Sequence, residues 1–466
     1  RARARRAALR PRLRAGAPIG SRAIFSALRL FATALAAACA GGSLAAPAPP
    51  AKEAPVPALS STAERVYELA KPRILQIRTL LHAAGRQTTI GSGFVVSPDG
   101  YAVTNYHVVS RFALDPKTYR LEYLAPDGTA GALQLLAIDV AHDLAVVKID
   151  HARLPFFEFD PRALAGKLPQ GERIYAMGNP LDLGFTIIEG TNNGLVGKSY
   201  EERILFSGAI NPGMSGGPVT DADGRIVGVN VAKRVDGEQV GVLVPAKFAA
   251  ALVERAQKGP PLAVDKAKEE VGRQLAAWQA EFYEALQKQG FRAASFGPYR
   301  GLESQAPWMS CWAATNGDDL PRQRVSINTT RCSSTTAVYV SDRLLTGGLE
   351  LRYEYHKSID LNAFQFSQEI AQRPGGAAYD GGRRLTAQEC RDDFLAPSAA
   401  GAPPLRATWC MRAYREFEGL YNVTIVALTQ DHDREALLAR LAMQGVSEAN
   451  AEALGKRFLE AIRWAR

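Results

Sequence analysis

A serine framed by glycines, a histidine just after one apolar run and an aspartate just before another are the residue types that acyl transfer needs. The serine is Ser215, in Asn211-Pro212-Gly213-Met214-Ser215-Gly216-Gly217-Pro218. Serine is a weak nucleophile until a base takes its proton, and the attacked carbonyl becomes an oxyanion that needs donors in place. Glycine neighbours let backbone amides converge on one spot, and here these would be the amides of Gly213 and Ser215. Glycine turns around a serine are common, so the motif needs company. Among six histidines, His107 lies in Thr104-Asn105-Tyr106-His107-Val108-Val109, and His142 sits beside Asp143 in Ala141-His142-Asp143-Leu144-Ala145-Val146-Val147-Lys148. His82, His151, His356 and His432 have no motif around them. His107, Asp143 and Ser215 fall in the order His, Asp, Ser.

The segments around these residues read as short strands and glycine turns from Ile74 to Val244. Strands are expected at Ile74 to Leu80, Gly91 to Val96, Tyr101 to Thr104, Leu121 to Leu124, Leu133 to Ile138 and Ala145 to Ile149. A second set is expected at Arg173 to Met177, Phe185 to Ile188, Leu195 to Lys198, Ile204 to Ser207, Ile226 to Ala232 and Val240 to Val244, the last two joined at Asp236-Gly237. Many short strands without alternating helices predict all-β barrels, which weakens an α/β-hydrolase reading of the serine motif. Helices are predicted at Ser61 to Ala70 and Lys247 to Ala256. A longer one carries Val271, Leu275, Trp278, Phe282 and Leu286 on one face and stops near Gly290. Beyond about Ser295 the chain reads as a mixed α+β region. One hairpin is expected between Val338-Tyr339-Val340 and Leu349 to Tyr355, around Gly347-Gly348, and another between Trp409 to Phe417 and Tyr421 to Leu428, turned at Gly419. Two helices are expected to end the chain, the last with Leu454, Phe458 and Ile462 on one stripe and Ser447 as N-cap. Pro374 to Arg383 and Ala396 to Pro404 read as exposed loops.

The formal charge of +9 has one source. Nine of the 56 basic residues are arginines that precede Glu53, and the other 47 match the 47 acidic residues. The rest of the chain is neutral, which removes the electrostatic case for nucleic acid. Basic residues up to Arg29, an apolar run from Leu30 to Ala40 and then small residues have the order of a secretory signal, too short to span a bilayer. Organelle targeting is the runner-up. Cys39 is a weak candidate for a lipid anchor, since no large aliphatic residue stands three positions before it. The other four cysteines lie in the last third. Their even number in an exported chain suggests two disulfides, with Cys311–Cys332 and Cys390–Cys410 favoured because each pair is near in sequence. No metal site or cofactor is expected.

Gly91-Ser-Gly-Phe-Val-Val, Thr104-Asn-x-His-Val-Val, Asp143-Leu-Ala-Val-Val-Lys, Gly178-Asn-Pro and Asn211-Pro-Gly-x-Ser-Gly-Gly-Pro, in that order, resemble trypsin-like serine proteases of the HtrA/Deg type. The resemblance covers roughly residues 63 to 255. It implies two six-stranded barrels with a triad in the cleft between them. His107 would be the general base, Asp143 its orienter and Ser215 the nucleophile, with the Gly213 and Ser215 amides as oxyanion hole. Asp139 is the near rival to Asp143. Asp143 is preferred because it opens an apolar strand that can bury it against the histidine, and His142 is read as a bystander. Against the family pattern, Met214 precedes the serine, so activation by an inserted N-terminus is not expected. Ala209, six residues before the serine, suggests small or aliphatic P1 side chains. Val229 to Ala232, with Asn230, Val231 and Ala232, is the expected edge for extended substrate. No Gly-Leu-Gly-Phe-like loop of a PDZ module follows Gly259.

The expected organisation is a signal (1–46), an Ala/Pro-rich linker (47–62), a double-barrel protease domain (63–256), a connecting helix (257–292) and a smaller disulfide-bearing α+β domain (293–466). The expected function is an exported, periplasmic or secreted serine endopeptidase acting on polypeptides in quality control or processing. The alternative is a latent protease-fold scaffold whose C-terminal domain binds a partner. A third reading, esterase activity through the same triad, predicts turnover of short esters without cleavage of unfolded proteins.

Overall fold

Short amphipathic strands leave unpaired edges, and closing them into barrels removes those edges. In the computed structural model, which describes residues 61–151, 153–179, 184–233, 240–317, 323–372 and 382–465, the strand-rich text does this twice. After helix α1 (Ser61–Ala70) come β1 (Ile74–Leu81), β2 (Arg86–Val95), β3 (Tyr101–Thr104), helix α2 (Tyr106–Leu114), β4 (Tyr119–Leu124), β5 (Ala130–Asp139) and β6 (Leu144–Ile149). These six strands close in the order β1-β2-β3-β6-β5-β4. A one-turn helix α3 (Pro161–Leu164) leads to β7 (Arg173–Gly178), β8 (Thr186–Leu195), β9 (Ile204–Phe206), β10 (Pro218–Thr220), β11 (Ile226–Lys233) and β12 (Gly241–Pro245). They close as β10-β11-β12-β9-β8-β7, and helix α4 (Ala246–Lys258) follows.

Helix α5 (Ala267–Gln289) buries Val271, Leu275, Trp278, Phe282 and Leu286 along one stripe. It ends where Gly290 turns to φ +81°, a conformation that glycine enters without a Cβ clash. Beyond it are β13 (Phe291–Phe296), β14 (Tyr299–Ser304), β15 (Met309–Thr315), β16 (Val325–Ser334), β17 (Val338–Ser341), β18 (Leu344–Thr346) and β19 (Leu349–Ser358). Helix α6 (Ala363–Ala371), β20 (Glu389–Leu395), β21 (Leu405–Ala413), β22 (Tyr421–Thr429), β23 (Glu435–Val446), helix α7 (Glu448–Glu460) and β24 (Arg463–Trp464) complete the chain. Seven of these strands form one antiparallel sheet, ordered β15-β16-β19-β23-β22-β21-β20. Cys311–Cys332 ties edge strand β15 to β16, and Cys390–Cys410 ties the opposite edge strand β20 to β21. Each bridge joins directly opposed residues. Two disulfides point to folding in an oxidising, extracytoplasmic compartment. No helix among the described residues is long and apolar enough to cross a membrane.

The C-terminal region does not stand apart from the barrels. One continuous core runs from Ile77, Leu135 and Val147 of the first barrel, through Tyr106 and Val109 of α2, to Phe282 of α5 and Leu351, Ile425 and Leu441 of the large sheet. The second barrel centres on a separate core of Met177, Phe206, Met214 and Val229, closed by α4. The described residues form one compact unit.

Three expectations are corrected. Val338–Ser341 pairs with Leu344–Thr346 across Asp342-Arg343, not with the strand after Gly347-Gly348, and β19 instead joins β16 and β23 in the large sheet. One helix, not two, ends the chain. Glu435–Val446 has the Ala, Leu and Arg content of a helix but lies in the middle of the sheet, where pairing on both sides overrides propensity. Leu195 to Lys198 is no separate strand, because β8 runs unbroken to Leu195. The signal, Cys39, nearly all of the linker, the Asp236-Gly237 turn and nearly all of the Pro374 to Arg383 loop lie outside the described residues.

Candidate active site

Asp143 organises the start of α2. It lies in the turn before β6 with φ +60°, a region that aspartate tolerates better than most side chains, at a cost of about 1 kcal/mol. In that conformation its carbonyl oxygen accepts Asn105 Nδ2 at 2.7 Å and the Tyr106 amide at 3.2 Å. Its carboxylate accepts the His107 amide through Oδ1 at 2.8 Å and pairs with His107 Nδ1 through Oδ2 at 2.6 Å. The first amides of a helix lack internal partners and favour negative charge, so Asp143 caps α2 and orients the imidazole together. Asn105 holds the N-cap position without capping by its own side chain. Asp143 is almost fully buried. Burial alone disfavours the charged imidazole of His107, but the field and hydrogen bond of Asp143, with Asp342 adding to them, outweigh it and raise the His107 pKa above its ordinary 6.5.

The rival pair Asp139–His142 is a separate construction. His142 Nδ1 meets Asp139 at 2.8 Å, its Nε2 meets Glu201 at 3.3 Å, and its ring stacks on Phe248 at 3.8 Å. Trp278 of α5 donates to the same Glu201 at 2.6 Å. This cluster joins the first barrel to Glu201, between β8 and β9, and to α5.

The serine loop is held from both barrels. Ser92 of β2 donates its amide to the Ser215 carbonyl at 2.8 Å and its hydroxyl to the Gly213 carbonyl at 2.7 Å, while its Oγ accepts the Asn179 amide at 2.9 Å. Thr104 Oγ1 bonds the Ser92 carbonyl. Gly216, at φ +82°, passes so close that a Cβ would lie 2.3 Å from that carbonyl oxygen. Met214 is fully buried in the second core, and its amide donates to the Asn211 carbonyl at 3.0 Å. Burial of an apolar side chain thus anchors this loop. Among the described residues, the Gly213 and Ser215 amides meet no protein acceptor, and Ser215 Oγ has one hydrogen bond, to the Val231 carbonyl at 3.2 Å. No bond links it to His107, which is common without substrate, when catalytic contacts are long.

The expected substrate edge divides. Asn230 is fully buried: its Nδ2 donates to the Met177 carbonyl at 2.8 Å, and its main chain exchanges bonds with Gly216 and Gly217. Its main chain supports the serine loop. Pairing of β11 with β10 ends at Val229, and its register with β12 slips between Asn230 and Ala232. Val231 and Ala232 therefore follow the bond to Gly217 with no further strand partner on that side among the described residues. Ala209 is half-buried beside the loop. No sequence motif marks Ser92 as the anchor of the serine loop, although it sits in Gly91-Ser92-Gly93, and none marks Tyr339, whose ring meets the His107 ring edge-on, or Asp342.

Residues 91–229 match the trypsin-like peptidase domain family. A "Probable periplasmic serine endoprotease DegP-like" of Chlamydia pneumoniae is 34% identical over 179 residues, 36% of this chain and 35% of that protein. A protein of the same name from Bartonella henselae is 36% identical over 177 residues, 36% of this chain and 34% of that one. The chain thus spans about a third of the length of these relatives. A crystal structure of the serine endoprotease from Yersinia pestis aligns with a TM-score of 0.37 at 25% identity, over 43% of this chain and 69% of that one. The chain carries a trypsin-like peptidase domain related to the HtrA and DegP serine endoproteases.

Proposed function

We propose that this chain is an exported serine endopeptidase, periplasmic or secreted, that hydrolyses polypeptides through an acyl-enzyme. The observation that carries the reading is the double attachment of His107 to Asp143, at 2.8 and 2.6 Å, in a chain whose Gly213 and Ser215 amides meet no protein acceptor among the described residues. Asp143 holds the proton on Nδ1 of His107, which leaves Nε2 to accept the Ser215 proton. Ser215 Oγ leaves the Val231 carbonyl, attacks the scissile carbonyl and forms a tetrahedral oxyanion. The Gly213 and Ser215 amides stabilise that charge. His107 then protonates the leaving amine, and water repeats the sequence to release the acid. Extended substrate would pair with Val231 and Ala232, and Ala209 favours a small or aliphatic P1 side chain. Quality control or processing is the role that suits such specificity. We take residues 63–256 as the peptidase unit, 257–292 as the connection and 293–466 as an added domain.

Fluorophosphonate labelling of the full chain beside Ser215→Ala tests this. Labelling that requires Ser215, with cleavage of an unfolded protein, is the expected result. A folded chain that does not label would favour a latent scaffold, a reading kept open by the bond from Ser215 Oγ to Val231.

A further inference from the structure

Helix α2 is clamped on a second side by the C-terminal region. The β17–β18 hairpin lies against it, and the buried Tyr106 hydroxyl donates to the Val340 carbonyl at 3.1 Å. Tyr339 sets its ring edge-on to the His107 imidazole, with centroids 5.6 Å apart and planes at 65°. The Tyr339 hydroxyl donates to Asp342 Oδ1 at 2.5 Å, and Asp342 Oδ2 accepts Arg111 Nε at 2.8 Å. Arg111 is four residues beyond His107 on the same helix face. The contacts form a closed circuit: His107 to Tyr339, Tyr339 to Asp342, Asp342 to Arg111, and back along α2.

We propose that the β17–β18 hairpin is part of the active site, with Tyr339 as a positioning residue for His107 and Asp342 as the carboxylate that ties Tyr339 to Arg111 on the same helix. This rests on the peptidase reading for its catalytic consequence but not for its structural one. Asp143 fixes one nitrogen of the ring, about which the imidazole can still tilt. An aromatic contact on the ring limits that tilt and keeps Nε2 aimed. Asp342 favours the protonated imidazole, as Asp143 does. Its side chain is about 48% exposed, so its influence is screened by salt. Among the described residues, the charged or titratable groups around the imidazole include Asp143 from the turn before β6, Tyr339 and Asp342 from the hairpin, and Tyr106 and Arg111 from α2 itself, with Arg203 behind Asp143. Arg384 and Glu416, paired with each other, lie farther out near Tyr106. The added region thereby has a role in catalysis that the barrels alone cannot supply.

The test uses the full chain with histidine-selective isotope labelling, His107→Ala for assignment, and the variants Tyr339→Ala, Tyr339→Phe and Asp342→Asn. Each is titrated by NMR and assayed for fluorophosphonate labelling rate against pH. Asp342→Asn is expected to move the His107 titration and the acid limb of labelling to lower pH, by less in high salt. Tyr339→Ala is expected to lower the labelling rate about 10- to 100-fold, with Tyr339→Phe retaining most of it. Folded Asp342→Asn and Tyr339→Ala proteins whose titrations and limbs superimpose on wild type would overturn the proposal. If Tyr339→Ala does not fold, the surface variant Asp342→Asn decides. Should the His107 titration move while wild type never labels, the clamp stands and the peptidase reading falls.

Discussion

Ser92 donates its hydroxyl to the Gly213 carbonyl at 2.7 Å, so a strand of the first barrel holds the serine loop of the second. The same oxygen accepts the Asn179 amide at 2.9 Å, and the Ser92 amide reaches the Ser215 carbonyl. One residue thus sets how the loop bearing the nucleophile sits against the barrel bearing the base.

Ser92→Ala removes both hydroxyl contacts from a fully buried site. A loss of about 1–3 kcal/mol in stability is expected from the orphaned groups. The larger effect is on geometry: kcat on a peptide substrate should fall about 10- to 100-fold with KM little changed. Unchanged kcat in the folded variant would show that the loop is held by other means.

The pH dependence of activity follows from His107. The serine needs the neutral imidazole, while its surroundings hold the His107 pKa above 6.5. The acid limb of kcat/KM should therefore lie above pH 6.5 in wild type. Asp143→Asn removes the charge and alters the tautomer, and a fall of about 10³- to 10⁴-fold in kcat is expected. A pH–rate profile that is flat from pH 6 to 8 would remove His107 as the base.

His142 makes the chain sensitive to alkali. Burial disfavours its charge, but Asp139 and Glu201 more than reverse that and raise its pKa to about 9 from 6.5. A value raised by folding adds stability that is complete below about pH 6.5, declines between 6.5 and 9, and is gone above 9. Urea midpoints of wild type and His142→Gln should thus differ most at pH 6 and converge by pH 10. A gap that is the same at both pH values would mean that His142 contributes only packing.

The two disulfides hold the outer strands of the seven-stranded sheet. Each closes a loop for which about 2–4 kcal/mol is typical. Replacing Cys390 and Cys410 by serine should free β20, raising amide exchange there and exposing a strand edge that promotes association. The second barrel, with its own core, should keep its protection. Equal loss of protection in both regions would show that the chain unfolds as one cooperative unit.

Much of the barrel text was legible because it is local. Alternating apolar residues and glycine turns mark strands wherever they end up, and the stripe on α5 marks a helix by its own period. His107, Asp143 and Ser215 stood out because acyl transfer restricts residue types and their neighbours. The cysteine pairs were readable because hairpin strands bring near neighbours together.

What the sequence by itself determined is which segments form most of the elements, and which side chains could carry the chemistry. Only the tertiary structure decided what those side chains meet. Glu435–Val446 became a central strand because β22, just before it, pairs with one edge and β19, from much earlier in the chain, pairs with the other. Asn230 turned inward because the serine loop needed its amide. Ser92 acquired its role because two barrels close against each other, and Tyr339 reached His107 across 232 residues of sequence because α2 and the hairpin share one buried core. Such contacts depend on how distant elements pack, and a local pattern carries no record of that.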